Sequence, residues 1–109
     1  DAQARMLLEA RVDAQRLCDV LSAALELDGP GLLNDEEMRV LQEGVSALVE
    51  VAEGNAVDAI TRATEQLSQA SDAFAARRMD REVQRALTGQ SVNQVIEAAA
   101  TDETALNSD

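Results

Sequence analysis

Residues 1–27 contain neither glycine nor proline, and within them Leu7, Ala10, Ala14, Leu17, Leu21 and Ala24 recur at alternating spacings of three and four. A stretch so patterned buries its apolar side chains most simply on one face of a helix that turns about every 3.6 residues. The helix is expected to stop at Asp28-Gly29-Pro30-Gly31, since Gly accepts a left-handed cap at little cost and Pro lacks a backbone donor.

A second helix is predicted from Asn34 as N-cap, with Glu37 completing a capping box and Leu33 and Met38 spaced as a hydrophobic staple. Asp35 and Glu36 favour the positive end of its dipole, and the stripe Met38, Leu41, Val45, Leu48 and Ala52 runs to Gly54. Asn55 is expected to open a third helix with Asp58 at its third position, on the stripe Ala56, Ile60, Ala63, Leu67, Ala70 and Phe74. After Phe74 the apolar register slips to Met79, Val83, Ala86 and Leu87, which predicts a kink or a short separate helix near Ala76. Gly89 closes that segment. Ser91 with Gln94 marks a short helix to about Ala100, and the polar tail from Thr101 is expected to be disordered. Residues 1–89 thus read as a helical bundle and 90–109 as a short helix with a tail.

The three main helices would span about 40, 30 and 33 Å, and their short connections make neighbours antiparallel. The expected fold is all-α: an antiparallel three-helix bundle with a long projecting first helix and one or two short C-terminal helices. The overhang carries Met6, Leu7 and Leu8, which need a partner. Composition agrees. Phe74 is the sole aromatic residue, so a sandwich or barrel packed with aromatic and β-branched side chains is disfavoured. At 109 residues there is room for one thin core and little for a deep catalytic cavity.

Charge excludes other functions. With 21 acidic residues, nine arginines, no lysine and a formal net charge of -12, the chain repels nucleic acid and anionic membranes. No apolar run is long enough for a membrane span, and the opening residues do not show a signal-peptide pattern. Asp rather than Met stands first, so a piece of a longer protein is expected. The absence of His removes imidazole bases and the Glu-x-x-His pairs of carboxylate-bridged metal bundles. A calcium loop starting at Asp28 would put Leu33 and Arg39 where Gly and Glu are required. No catalytic, cofactor or metal residues are expected, nor an enzyme, since no nucleophile, base and orienting group recur together. Cys18, the single cysteine, reads as packing on the flank of the first stripe and fits a reduced cytoplasm; Phe74 reads as a plug at the end of the core. Arg77, Arg78, Arg81 and Arg85 form a basic cluster whose like charges call for acids from neighbouring helices, a helix C-terminus, or an acidic partner.

Four strings carry a resemblance: ARMLLEARVDAQRL (4–17), LLNDEE (32–37), AEGNAVDAI (52–60) and FAARRMDREVQRALTGQSVNQV (74–95). Together they make residues 1–95 similar to the C-terminal helical lid of HscA-type chaperones. These are relatives of DnaK in the seventy-kilodalton heat-shock family, dedicated to iron–sulfur cluster assembly. The resemblance implies a parent with an ATPase domain and a β-sandwich that grips an extended client peptide, neither being part of this segment. ATP would open the lid. Hydrolysis stimulated by the J-domain partner HscB would close it over the client, the scaffold protein IscU. The start of helix 1, roughly Asp1 to Asp19, would lie over the sandwich, making Met6, Leu7, Leu8, Arg11, Gln15 and Asp19 the expected contacts. DnaK-like lids latch through an acid and a His on this helix; Gln15-Arg16-Leu17-Cys18-Asp19 stands here, and Gln15 forms no ion pair. The family pattern ends soon after the Ser-Val segment, whereas this chain continues to Asp109. The competing expectation is an autonomous acidic helical adaptor, or a homodimer formed through the free end of helix 1.

Overall fold

The structure is a computed structural model that describes residues 1–89. Four helices follow in order: α1 (Ala2–Leu32), α2 (Asp35–Ala52), α3 (Val57–Ala70) and α4 (Asp72–Gly89), and no strand occurs among the described residues. The fold is all-α, as the periodicities require. Asp1–Ala76 form one compact unit, and the chain from Arg77 onward belongs to a second. The short helix and tail expected beyond Gly89 lie outside the described residues.

In the first unit α1, α2 and α3 all pack on one another. Three approaches fix α2 antiparallel to α1: Arg11 bonds Ala52, Cys18 bonds Val45, and the Gly29 backbone lies against Met38. The core comprises Ala10, Ala14, Cys18, Leu21, Ala24 and Leu25 from α1, Leu41 and Leu48 from α2, Ile60 and Leu67 from α3, and Phe74. Leu48 and Ile60 are the large side chains sealed most completely, at 1% and 0% exposure. Complete burial of each contributes about 1.5–3 kcal/mol. Small residues on α1 (Ala10, Ala14, Ala24) bring its backbone close to its neighbours, so a bundle with one aromatic residue still closes.

The predicted start of α2 is borne out. The Asn34 side chain accepts from the Glu37 amide at 2.7 Å, and Glu37 accepts from the Asn34 amide at 3.0 Å. Leu33 and Met38, the staple pair, are both half-buried against the core.

Three boundaries differ from expectation. The first helix does not stop at Asp28. It runs through Pro30 to Leu32, with Asp28 and Gly29 buried, and the Leu33 amide donates to Gly29 O at 2.8 Å. Proline near a helix end forfeits the bond its own missing amide would make and leaves the next turn intact. The tight link to α2, Leu33 and Asn34 alone, requires α1 to persist that far. Gly29 serves as a contact rather than a terminator: a Cβ there would fall within 3.1 Å of Met38 Sδ and closer still to its methyl.

The second difference is at α3, whose N-cap is Ala56 without a side-chain cap bond, because the Asn55 side chain is engaged by α1. The third is the break after α3, which falls at Ser71 rather than near Ala76. There the Ser71 amide is shared between Leu67 O and Ser68 O, and its hydroxyl donates to Ser68 O at 2.9 Å. A serine hydroxyl that competes for helix carbonyls in this way ends the regular ladder. Phe74 therefore opens α4 rather than closing α3, yet it is 2% exposed, as its place in the stripe demands.

Candidate functional site

The sequence directs attention to the first turns of α1. Asp1 caps them, its carboxylate accepting from the Ala4 amide at 2.7 Å. Met6 and Leu8 are 50% and 62% exposed, Leu7 is half-buried against the core, and Ala10 is the first residue that the bundle fully covers. The helix thus presents Met6 and Leu8 outward while Leu7, expected to be uncovered with them, turns its side chain to the core.

Gln15 and Asp19 are paired with each other. The Gln15 amide donates to Asp19 Oδ1 at 2.9 Å, one turn apart on an exposed face. This is a neutral donor on a carboxylate. It leaves Asp19 able to accept a further bond, while Gln15 brings no charge of its own.

Arg11 sits between these groups and turns inward. Its Nε donates to Ala52 O at 3.0 Å, and its Nη2 donates to Gly54 O at 2.7 Å and Asn55 Oδ1 at 3.0 Å. All three acceptors belong to the passage from α2 to α3. Carbonyls at a helix C-terminus lack intrahelical donors, and a cation there is favoured by the dipole. The last turn of α2 has no basic residue of its own, so Arg11 supplies the charge from α1. Sequence reasoning grouped Arg11 with the outward contacts and missed this clamp. The available signal was a helix end, Glu50 to Asn55, with no Lys or Arg nearby in sequence.

Cys18 lies in the core at 4% exposure, its thiol directed at Val45 O at 3.9 Å. Burial, reinforced by the Asp19 charge, pushes the thiol above its ordinary pKa and disfavours the reactive thiolate. Among the described residues no group of three or more His, Cys, Asp or Glu could hold a metal. An open groove of about 720 Å³ between α1 and α2 runs over Leu25, Met38 and Val45, and Glu26 is the one ionisable residue on its walls. No acid–base pair converges there.

The basic cluster lies on α4. Arg85 pairs with Glu82 of the same helix at 3.4 Å, an acid one turn back rather than on a neighbouring helix. Arg77, Arg78 and Arg81 are half-buried, whereas Met79, Val83 and Leu87 are 69%, 50% and 60% exposed. On α2, Arg39 bridges Glu36 and Glu43, which hold its guanidinium charged. These are solvated surface pairs of small energetic weight. No helix among the described residues is long and apolar enough to cross a membrane.

These features define a helical segment with an uncovered apolar end and no catalytic constellation among the described residues. No protein-family model matches the chain. It is 50% identical over 93 residues to the chaperone protein HscA homolog of Methylobacillus flagellatus, covering 85% of this chain and 15% of that protein. The HscA homologs of Vibrio campbellii and Pseudomonas fluorescens SBW25 are 44% and 45% identical over 95 and 97 residues, covering 87% and 89% of the chain. The chain spans only about 15% of the length of these relatives, in their C-terminal part. It is homologous to that segment of the HscA chaperones, which bears out the resemblance read from the four sequence strings.

Proposed function

We propose that this chain is the helical lid of an ATP-driven HscA-type chaperone that acts in iron–sulfur cluster assembly. It covers a client peptide held by the β-sandwich of the parent protein and slows its release. Homology to the C-terminal part of HscA proteins at up to 50% identity carries this reading. The exposed Met6 and Leu8 supply the apolar surface that docking needs. In the parent, a cytoplasmic protein, ATP bound in another domain opens the lid, HscB stimulates closure, and IscU is the client. Such a lid is a two-state element, and nucleotide shifts it only through contacts that differ between open and docked states. With the Gln15–Asp19 pair where DnaK-like lids carry a latch, closure rests on apolar contact more than on an ion pair.

The test is peptide dissociation from the β-sandwich with and without residues 1–89 fused behind it. The lid lowers the off-rate; an off-rate the same in both removes the reading. A second reading, an acidic adaptor or self-associating module, draws on exposed Met79, Val83 and Leu87. A stable oligomer of the isolated chain that ignores an added β-sandwich would favour it.

A further inference from the structure

Residues 1–10 of α1 carry no side-chain hydrogen bond to another described helix, and the first that does is Arg11. Ala10, its neighbour, is the first fully buried residue. The guanidinium therefore sits where α1 leaves the core, and it spans three acceptors over four residues, Ala52 to Asn55. From this geometry we infer that Arg11 is the positioning residue of the lid: it locks the uncovered end of α1 to the α2–α3 passage, so that the end and the bundle move as one body. This rests on the lid reading above.

The physical reason is that Leu7 and Ala10 hold this level by apolar packing, while Arg11 makes its only side-chain hydrogen bonds to another described helix. The α2 terminus has no cation of its own, and α3 starts on Ala56 with no side-chain cap. Without Arg11, the carbonyls of Ala52 and Gly54 lose their donor and Asn55 is released. The passage then loosens beside the point where the arm begins. A planar fork reaches several acceptors at fixed angles, whereas a lysine ammonium acts as a point charge. Arg11→Lys therefore keeps the charge and loses the lock.

Two measurements test the inference. In the isolated chain, Arg11→Lys speeds hydrogen exchange at the Ile60 amide, which donates to Ala56 O at 3.0 Å in the first turn of α3. In the full-length chaperone carrying this segment, Arg11→Ala and Arg11→Lys raise the client off-rate about threefold or more, and Asn55→Ala raises it less, as expected where contacts are lost mainly through dissociation. Asn34→Ala, which weakens α2 at its opposite end, leaves the off-rate unchanged and separates positioning from general destabilisation. Wild-type Ile60 exchange in Arg11→Lys, wild-type release in both Arg11 variants, or an equal acceleration by Asn34→Ala overturns the inference. If deleting the whole segment leaves release unaltered, the lid reading falls, and the exchange result still reports on the clamp.

Discussion

Within α1, two stretches of one uninterrupted helix behave differently. From Ala10 to Gly29 the helix buries a residue on nearly every turn, whereas from Asp1 to Glu9 it buries none completely. Both stretches are rich in Ala, Leu, Arg, Gln and Glu, and the contrast comes from what lies opposite each. Once α2 and α3 have covered the later turns, the earlier ones remain helical because they extend a helix already nucleated, which avoids the costly first turn. Stability is thus concentrated in one stretch, and the other is left available for contact.

The contrast can be broken most forcefully from the packed side. Ile60→Ala empties a site of 0% exposure and lowers stability by about 2–5 kcal/mol, measured by urea unfolding monitored by helical circular dichroism. Gly44→Ala comes next. Its Cβ would stand 2.6 Å from Cδ1 of Leu67, the far end of a buried side chain that must shift to admit it. Overpacking costs about 1–3 kcal/mol, against which alanine regains roughly 1 kcal/mol of helix propensity, so the net loss spans about 0–2 kcal/mol, read from the urea midpoint. Asn34→Ala removes half of the capping box and costs about 1 kcal/mol, visible as a lower urea midpoint with an unchanged slope. Leu8→Ser should be the mildest, within about 0.5 kcal/mol, since the side chain is 62% exposed. A loss from Leu8→Ser as large as that from Ile60→Ala would erase the distinction between the stretches.

Much of this was legible in the sequence. Of the predicted stripes, Leu41, Leu48, Ile60, Leu67 and Phe74 are buried where their spacing placed them, Ala56 and Ala70 at the two ends of α3 are exposed, and the Asn34–Glu37 box is formed. These signals are local or strictly periodic, so a single chain displays them. What escaped depended on tertiary context. Pro30 looks like a terminator in isolation, but the two-residue link to α2 and the close seat of Met38 on Gly29 hold the helix past it. Asn55 has the chemistry of a cap, but Arg11, 44 positions earlier, takes its oxygen. The stripe Ile60, Leu67, Phe74 keeps its seven-residue step across the break at Ser71, which hid the boundary. For the candidate site, the exposure of Met6 and Leu8 followed from helix lengths alone, whereas the inward turn of Arg11 required knowing which helix end faced it.

The lone thiol of the molecule also gives it a built-in gauge. Cys18 is sealed between α1 and α2 against Val45 O and held protonated by its surroundings. An alkylating reagent at neutral pH therefore reacts with it slowly while those two helices stay packed and faster once they separate. The labelling rate of an unmodified chain would time the opening of the bundle, with no second thiol to blur the record.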